Sequence, residues 1–297
     1  MASNVRSEDT EIAGTVLPAM SEEDTGPPPA DARLTEGERW ARDQLAALLG
    51  ARFSPPAIGH FLVASQRRAN EVRSARPELG RQAWGWIAVG AGAWLGLAAV
   101  GAQPFRRRVR GGLAWWAACA VMLDWHLGMV ETVDGRPRPL GAADALTLTR
   151  AWLVPVALDS PTPLVCAVAG ATDVLDGRFA RAVQPTRIGR DLEGLVDTCF
   201  GAAALRAALR EKRISRAVVL GELARLGAGF GYALSVYFAQ AEAPDPRVTR
   251  AARVTTPVRV AGLIAAGLGR RRLAGALVGG GALWSVAALA AALRSAE

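Results

Sequence analysis

The chain has 297 residues, of which 51% are hydrophobic and 21% charged, and its mean hydropathy is +0.18. This composition excludes intrinsic disorder, collagen and coiled coil for the bulk of the chain. Two stretches, 82–105 and 273–293, carry no charged residue, and a bilayer core requires about 20 such residues in a helix. We therefore predict an integral membrane protein that enters the membrane through internal segments. No apolar stretch follows Met1, so no cleaved signal peptide is expected.

The net charge of +8 comes from 35 basic and 27 acidic residues. A basic chain of this kind can bind nucleic acid, but here the arginines lie mostly at the ends of apolar runs. In that position they can reach the phosphates of membrane lipids. We therefore expect a membrane-lipid partner and no nucleic acid. The three cysteines lie inside apolar stretches, which favours buried thiols over disulfides or a zinc site.

The N-terminal part of the chain is polar and then amphipathic. Residues 1–33 are rich in Glu, Asp, Ser and Pro and are predicted to form a disordered tail. Residues 34–82 form a predicted amphipathic helical region that begins with a capping box at Thr35. A second helix is expected from Pro55 towards Arg76, and its far end is basic. This helix either lies on an anionic membrane surface or is a solvated spacer.

Apolar segments fill the rest of the chain. Residues 83–132 are predicted to form two additional transmembrane helices, and a turn-rich break follows at 135–139. Most of the nine tryptophans flank the predicted spans, as interfacial anchors do. Residues 140–293 are expected to form a six-helix membrane domain. Its segments are predicted at 140–158, 162–180, 189–210, 214–241, 255–269 and 273–293.

Five of these six segments contain charged residues, and only the last is free of them. A charge at the middle of a bilayer costs a few kcal/mol or more. Several charges in one bundle therefore indicate a polar cavity or mutual pairing. This concentration of charge is the main functional signal in the chain. These charged residues include Asp144, Arg150, Asp173, Asp176, Glu193, Asp197, Glu222, Arg225 and Arg259.

Four carboxylates have a spacing that brings them together. Asp173 and Asp176 are three residues apart, and Glu193 and Asp197 are four apart, so each pair shares one face of a helix. The connection between the two helices contains Pro185, which allows the second helix to turn back antiparallel to the first. The four carboxylates then converge at one end of a helix hairpin.

Carboxylates in a poorly hydrated site repel one another. Hard divalent cations such as Mg²⁺, Mn²⁺ or Ca²⁺ relieve this repulsion, and two of them can clamp a diphosphate. Gly177 and Ala180 remove side-chain bulk, so that a nucleotide can approach, and Arg181 offers a forked contact to phosphate. The alternative is a structural set of buried Asp–Arg pairs.

This stretch resembles the signature of the CDP-alcohol phosphatidyltransferase family. That signature reads D-x2-D-G-x2-A-R, a short gap, then G-x3-D-x3-D, and it matches from Asp173 to Asp197 except that Glu193 replaces an Asp. The segment from Leu146 to Arg150, followed by Pro155, also looks like the family's L-T-x-x-R…P run. The resemblance covers about half of the chain and implies an all-α integral membrane protein with a six-helix bundle.

The resemblance also implies roles for individual residues. Asp173, Asp176 and Glu193 are expected to hold one Mg²⁺ or Mn²⁺ ion, and Asp173, Glu193 and Asp197 to hold or flank a second. Asp197 is expected to be the general base. The residues expected to shape the nucleotide site are Gly177, Ala180, Arg181 and Gly189.

The implied reaction transfers a substituted phosphate group from a CDP-linked donor, often CDP-diacylglycerol, to an acceptor alcohol, with release of CMP. The implied protein is a multi-pass homodimer in the cell membrane with its site on the cytoplasmic side, and Gly275 and Gly279 offer a helix-packing motif. Because Glu193 is one methylene longer than Asp, an inactive member that acts as a lipid-binding or scaffold protein is the alternative. A transporter with buried carboxylates is a third interpretation, in which the glycines and arginine of the signature have no use.

Other charged residues have two interpretations each. Asp124 and His126 are either a catalytic pair or residues at a membrane interface. Glu222 and Arg225 are expected to form an ion pair within one helix. Alternatively, Arg225 and Arg259 bind the acceptor or a lipid phosphate.

Overall fold

The computed structural model describes residues 35–132, 135–182, 187–236 and 245–294, with the backbone alone at 180, 181, 187–191 and 234. The predicted disordered tail, residues 1–33, lies outside the described residues. Within the described ranges the chain forms ten α-helices, one short 3₁₀ helix at Leu127–Met129 and no β-strand. The helices are α1 Glu36–Gly50, α2 Pro55–Ala75, α3 Pro77–Ala99, α4 Val109–Trp125, α5 Ala142–Asp159, α6 Pro163–Ala182, α7 Arg187–Arg210, α8 Arg216–Leu234, α9 Pro246–Gly267 and α10 Arg271–Arg294.

The helix starts follow local capping chemistry. The predicted capping box of α1 is confirmed: the Thr35 backbone N–H donates to Glu38 Oε2 at 2.9 Å, and the Thr35 hydroxyl accepts from Glu38 N. The fifth segment was predicted to begin at 255, but its helix begins nine residues earlier. Helix α9 begins at Pro246, where the Asp245 side chain accepts from Arg247 N at 2.6 Å. The first turns of α9 are polar, so hydropathy missed them and the cap sets the start.

One helix in the described part of the chain, α10, is long and apolar enough by itself to cross a membrane. Helices α3 and α4 are not long and apolar enough to meet that description, and α4 has only 17 residues. Their assignment as two additional transmembrane helices therefore remains a prediction.

Helix α5 occupies the centre of the second half of the chain, because it packs along both α6 and α7. Helices α8 and α9 pack on α10, and α6 packs on α9. Their shared core is rich in buried alanines, which let helix backbones approach closely. Gly275 and Gly279 both face Val218 of α8, so this glycine pair packs two helices within the chain.

Helices α3 and α4 interlock through two tryptophans. Trp116 of α4 lies over Gly90 of α3, and Trp94 of α3 lies over Gly112 of α4, where a Cβ atom would overlap each indole ring. Both tryptophans are buried, so the expectation that tryptophans are interfacial anchors is wrong for these two. Because glycine has no Cβ, the rings fill the helix interface instead of facing lipid headgroups.

Tryptophan side chains also attach α3 and α4 to the second half of the chain, here through hydrogen bonds. Trp115 of α4 donates to the carbonyl of Ala151 at 2.8 Å, and Trp152 of α5 donates to the carbonyl of Gly90 at 2.9 Å. The N-terminal helices therefore pack directly on α5, the helix that supports the candidate site.

The basic end of α2 is turned towards the protein. Arg73 pairs with the buried Asp124 of α4. Arg76 donates to the carbonyls of Val130 and Arg138 at 3.2 and 2.5 Å. These contacts occupy charges that a helix on a membrane surface would present to lipid, and they make α2 a packed element of the fold. Asp124 pairs with Arg73, and the His126 ring contacts the carbonyl of Met122, so each has a partner other than the second member of the suggested catalytic pair.

Candidate active site

The candidate site is built around one buried arginine of α5. Arg150 is only 2% exposed, and its guanidinium reaches acids on two neighbouring helices. Nη2 lies 2.8 Å from Asp176 Oδ2, and Nη1 lies 3.5 Å from Asp173 Oδ1, both on α6. Nε lies 2.6 Å from Asp197 Oδ1 on α7. Arg150 thus joins the two predicted pairs of acids.

Two residues of α5, one helical turn apart, donate hydrogen bonds to Asp176. The Thr147 hydroxyl donates to Asp176 Oδ2 at 3.3 Å, and Arg150 donates to the same oxygen at 2.8 Å. Thr147 and Arg150 are three residues apart on α5, so both face α6. Asp176 is almost completely buried, and a buried carboxylate requires such partners.

The other three acids of the signature form a separate group. Asp173, Glu193 and Asp197 each offer a carboxylate oxygen, and these three oxygens lie within 4.8 Å of one another. All three side chains are partly exposed, in contrast to Asp176. The structure therefore brings together three of the four predicted metal ligands and directs the fourth towards Arg150 and Thr147. The predicted role of Asp176 as a metal ligand remains a prediction.

The charge balance of this group fits a divalent cation. Among the described side chains, four carboxylates face a single cation, Arg150, which leaves three negative charges in excess. Three carboxylate oxygens are hard donors of the kind that Mg²⁺, Mn²⁺ and Ca²⁺ prefer. Since the three oxygens lie within 4.8 Å of one another, these residues would be able to hold one such cation between them.

The predicted nucleotide-site residues lie on the same two helices. Gly177 follows Asp176 in α6 and is half-buried. Ala180 and Arg181 belong to the last turn of α6, and Gly189 to the first turn of α7. The positions of the Ala180 and Arg181 side chains, and the surroundings of Gly189, lie outside what the structure describes.

A cavity of about 220 Å³ opens beside the acids. Asp173, Asp197 and Arg150 line one side of it. Glu222 and Arg225 of α8 and Arg259 of α9 line the other side. Apolar residues from α6 to α10 complete the wall, including Ala169, Phe200, Leu205, Leu226, Val260, Leu263 and Val278.

The far side of the cavity carries one acid between two arginines. Glu222 Oε1 accepts from Arg225 at 2.7 Å, which confirms the predicted ion pair within α8, and from Arg259 at 3.1 Å. Arg259 also donates to the Thr256 hydroxyl and the Thr255 carbonyl. Its stem crosses α10 at Gly281, where a Cβ would lie 2.8 Å from Arg259 Cγ. This wall has one positive charge in excess.

Sequence reasoning gave no role to Thr147 and did not connect Arg150 with the acids. The sequence nevertheless contains two signals for these roles. An arginine in the middle of an apolar helix requires a buried counter-ion, and the spacing of Thr147 and Arg150 places both on one face of α5. The identity of the acid that they hold depended on how α5 packs against α6, which no local pattern encodes.

The model of the CDP-alcohol phosphatidyltransferase family matches residues 140–292, which is slightly more than half of the chain. The match begins just before α5 and ends within α10, so it includes all four carboxylates, Arg150 and both sides of the cavity. No curated protein and no solved structure matches the chain.

Proposed function

Because the chain belongs to the CDP-alcohol phosphatidyltransferase family, a transferase family, we propose that it transfers a substituted phosphate group from a CDP-linked donor to an acceptor alcohol. CMP is released, and where the donor is CDP-diacylglycerol the group is phosphatidyl and the product a phospholipid. The observation that carries this proposal is the group of three carboxylates, Asp173, Glu193 and Asp197, of which Asp173 and Asp197 line a cavity together with Arg150.

We assign Asp173, Glu193 and Asp197 as the residues that hold the divalent cations, Mg²⁺ or Mn²⁺, and the resemblance adds Asp176 to one of the two sites. When bound, such cations bind the diphosphate and neutralise the charge that develops on the leaving phosphate. Arg150 is the counter-ion of the site in their absence, because it lies against Asp173, Asp176 and Asp197. Thr147 and Arg150 fix Asp176 and thereby hold α6 in register with α5.

Asp197 is the proposed general base. Its side chain is 37% exposed and lines the cavity, so it can accept the proton of an acceptor hydroxyl bound there. The hydroxyl oxygen then forms a bond to the phosphorus that carries the substituent, and the bond from that phosphorus to CMP breaks. Arg150 Nε, 2.6 Å from Asp197 Oδ1, holds the carboxylate in place with its other oxygen available to the proton.

The cavity supports a small acceptor. Its volume of about 220 Å³ has room for a small polar alcohol. Glu222, Arg225 and Arg259 on the far wall are positioned to bind the polar substituents of that alcohol, while its hydroxyl faces Asp197.

The family is membrane-embedded, and α10 is apolar enough to span a bilayer. We extend this to a multi-pass arrangement in the cell membrane, in which α5–α10 form the six-helix bundle and the acids face the cytoplasm. Helices α3 and α4 are proposed to accompany the bundle, because Trp115 and Trp152 bond them to α5. A homodimer is proposed from the resemblance alone, since Gly275 and Gly279 pack against α8.

One observation favours a second function. Glu193 stands where the family signature has Asp, and metal sites tolerate little positional error. The second candidate is therefore a protein of the same fold that has lost transfer activity and binds lipid or acts as a scaffold.

The decisive experiment measures CMP release by the purified full-length protein from CDP-diacylglycerol, with a panel of acceptor alcohols and with Mg²⁺ or Mn²⁺ varied. We expect CMP release that depends on the metal ion and is abolished by EDTA. For an active enzyme, Glu193→Asp should weaken the metal dependence and Glu193→Gln should weaken it more, because it removes a charge that the cations require. For an inactive wild type, Glu193→Asp should instead restore release. No release by either protein with any CDP-linked donor would refute the transfer reaction and leave the second candidate.

A further inference from the structure

A second cavity lies at the opposite end of the six-helix bundle from the acids. Its volume is about 780 Å³, and it is lined by the α7–α8 connection and the first turns of α8 and α10. On α7, Arg210 at this cavity is thirteen residues beyond Asp197, which is about 20 Å along a helix. The two cavities are therefore separate sites.

Six of the eleven residues that line this cavity are cationic and none is acidic. The remaining five, which include Leu209, Ile214 and Ala276, are apolar or small. The lining of the cavity thus combines a dense positive charge with a few apolar side chains. The cationic residues are Arg210, Lys212, Arg213, Arg216, Arg271 and Arg272.

Two of the six cations are fixed by the fold. Arg213 donates to the carbonyl of Gly267 at 2.7 Å and pairs with Glu211 at 2.8 Å. Arg210 donates to the backbone carbonyls of Leu158 and Asp159 at the end of α5. These contacts attach the α7–α8 connection to α5 and α9, so the cavity is a built feature and not a flexible surface.

The other four cations have no acidic partner within the described ranges. Lys212, Arg216, Arg271 and Arg272 are exposed. Glu211, the acid of the α7–α8 connection, already pairs with Arg213 and Arg210. Asp159, at the same end of the bundle, pairs with Arg107 and Arg108 of the α3–α4 connection. The positive charge of the cavity is therefore uncompensated by the described chain.

The position of the cavity indicates what compensates this charge. Arg271 and Arg272 begin α10, the helix that is long and apolar enough to cross a membrane, so the cavity lies where such a span would enter the headgroup layer. Exposed apolar side chains continue from it along the helices, among them Leu220 and Leu273. Arginine binds phosphate through paired N–H donors, and a lipid headgroup presents phosphate at this depth.

We propose that this cavity, formed by the α7–α8 connection and the start of α10, binds the phosphate group of an anionic phospholipid. The apolar residues of the lining and the exposed leucines accept the first part of the acyl chains, and the four unpaired cations bind the phosphate. This site is independent of the transfer reaction, because it shares no residue with the carboxylate cavity.

The test uses full-length protein in a neutral detergent, titrated with dihexanoyl phosphatidylglycerol, and follows the thermal unfolding midpoint. Parallel titrations use dihexanoyl phosphatidylcholine and inorganic phosphate. The anionic lipid should raise the midpoint of the wild type at concentrations at least about tenfold lower than either comparison compound, since each basic residue near a headgroup strengthens binding several-fold. Arg271→Gln/Arg272→Gln should remove most of that difference. Lys212→Gln/Arg216→Gln, on the other side of the cavity, provides a second variant should the first fold poorly.

The matched control is Arg67→Gln/Arg294→Gln, which removes two exposed arginines outside the cavity and should bind the anionic lipid like the wild type. Three outcomes would overturn the proposal. One is an equal loss of binding in this control, which would indicate general charge attraction. Another is equal binding of inorganic phosphate and anionic lipid, which would assign the site to free phosphate. The third is unchanged binding in both cavity variants.

Discussion

The two walls of the central cavity have opposite charge patterns. On one wall Arg150 is shared by Asp173, Asp176 and Asp197, and on the other Glu222 is shared by Arg225 and Arg259. In both cases one buried ion serves several partners, so each wall keeps an excess charge, negative on the first and positive on the second. A buried charge that is not fully paired is costly, and a structural ion pair would avoid it. This excess supports the proposal that the first wall binds divalent cations and the second binds the polar groups of the acceptor.

The largest expected effect comes from removing the shared arginine. Arg150→Gln leaves Asp176, which is only 3% exposed, without its charged partner. Breaking a buried pair from one side costs about 3–5 kcal/mol, and we expect a loss of this size in the free energy of unfolding, measured by denaturation of the purified protein in detergent.

The double variant Arg150→Gln/Asp176→Asn should recover a large part of that loss, because the buried Asp176 then carries no charge, and the other two partners of Arg150, Asp173 and Asp197, are partly exposed. Arg206→Gln, which removes an exposed arginine of α7, should leave stability close to that of the wild type. A double variant no more stable than Arg150→Gln would show that Asp176 is not the partner that matters.

The second effect concerns activity. Asp173→Asn and Asp197→Asn each remove one carboxylate of the group of three, and each should reduce metal-dependent CMP release at least about a hundredfold. Stability should change little, because each substitution also relieves repulsion among the acids. Glu71→Gln, which neutralises an exposed acid of α2, is the control. Near wild-type turnover of either variant at saturating Mg²⁺ would disprove the carboxylate site.

The third effect tests the positive wall. Glu222→Gln leaves Arg225 and Arg259 without their shared acid, and we expect a loss of about 1–3 kcal/mol in the free energy of unfolding. Glu211→Gln is the matched control, since Glu211 also serves two arginines but is more exposed, so that its loss should cost at most about 1 kcal/mol. Equal losses for the two variants would mean that burial of the Glu222 cluster contributes nothing.

The smallest expected effect tests how tightly Arg259 of the positive wall packs on α10, and it changes no charge. Gly281→Ala adds a Cβ that would lie 2.8 Å from Arg259 Cγ, whereas Gly280→Ala, one residue earlier, meets nothing within 4 Å. Alanine is favoured over glycine in a helix by up to about 1 kcal/mol. Gly280→Ala should therefore stabilise α10, and Gly281→Ala should be less stable than Gly280→Ala by about 1 kcal/mol. Equal unfolding midpoints would show that the Arg259 stem is free to move.

The sequence predicted the helices of the second half of the chain well, because long apolar segments are a strong local signal. The predicted segment 189–210 compares with α7 at Arg187–Arg210, and 140–158 with α5 at Ala142–Asp159. The error at α9 arose because its first turns are polar and only the Asp245 cap marks the start. The burial of Trp94 and Trp116 was harder to predict, because the glycine that each ring packs on lies on a different helix.

The candidate site also has features that the sequence predicts and features that only the packing of the helices decides. The spacing of Asp173, Asp176, Glu193 and Asp197 is a property of the sequence, and helical geometry alone places each pair on one face. The sequence therefore determined the helical class of the protein, its membership of the family and the group of acids that we propose as the site. Tertiary packing alone decided that α5 lies against both α6 and α7, because that depends on contacts between residues far apart in the chain. Only this packing delivers Arg150 to three of the acids and joins Arg259 to Glu222 across two helices.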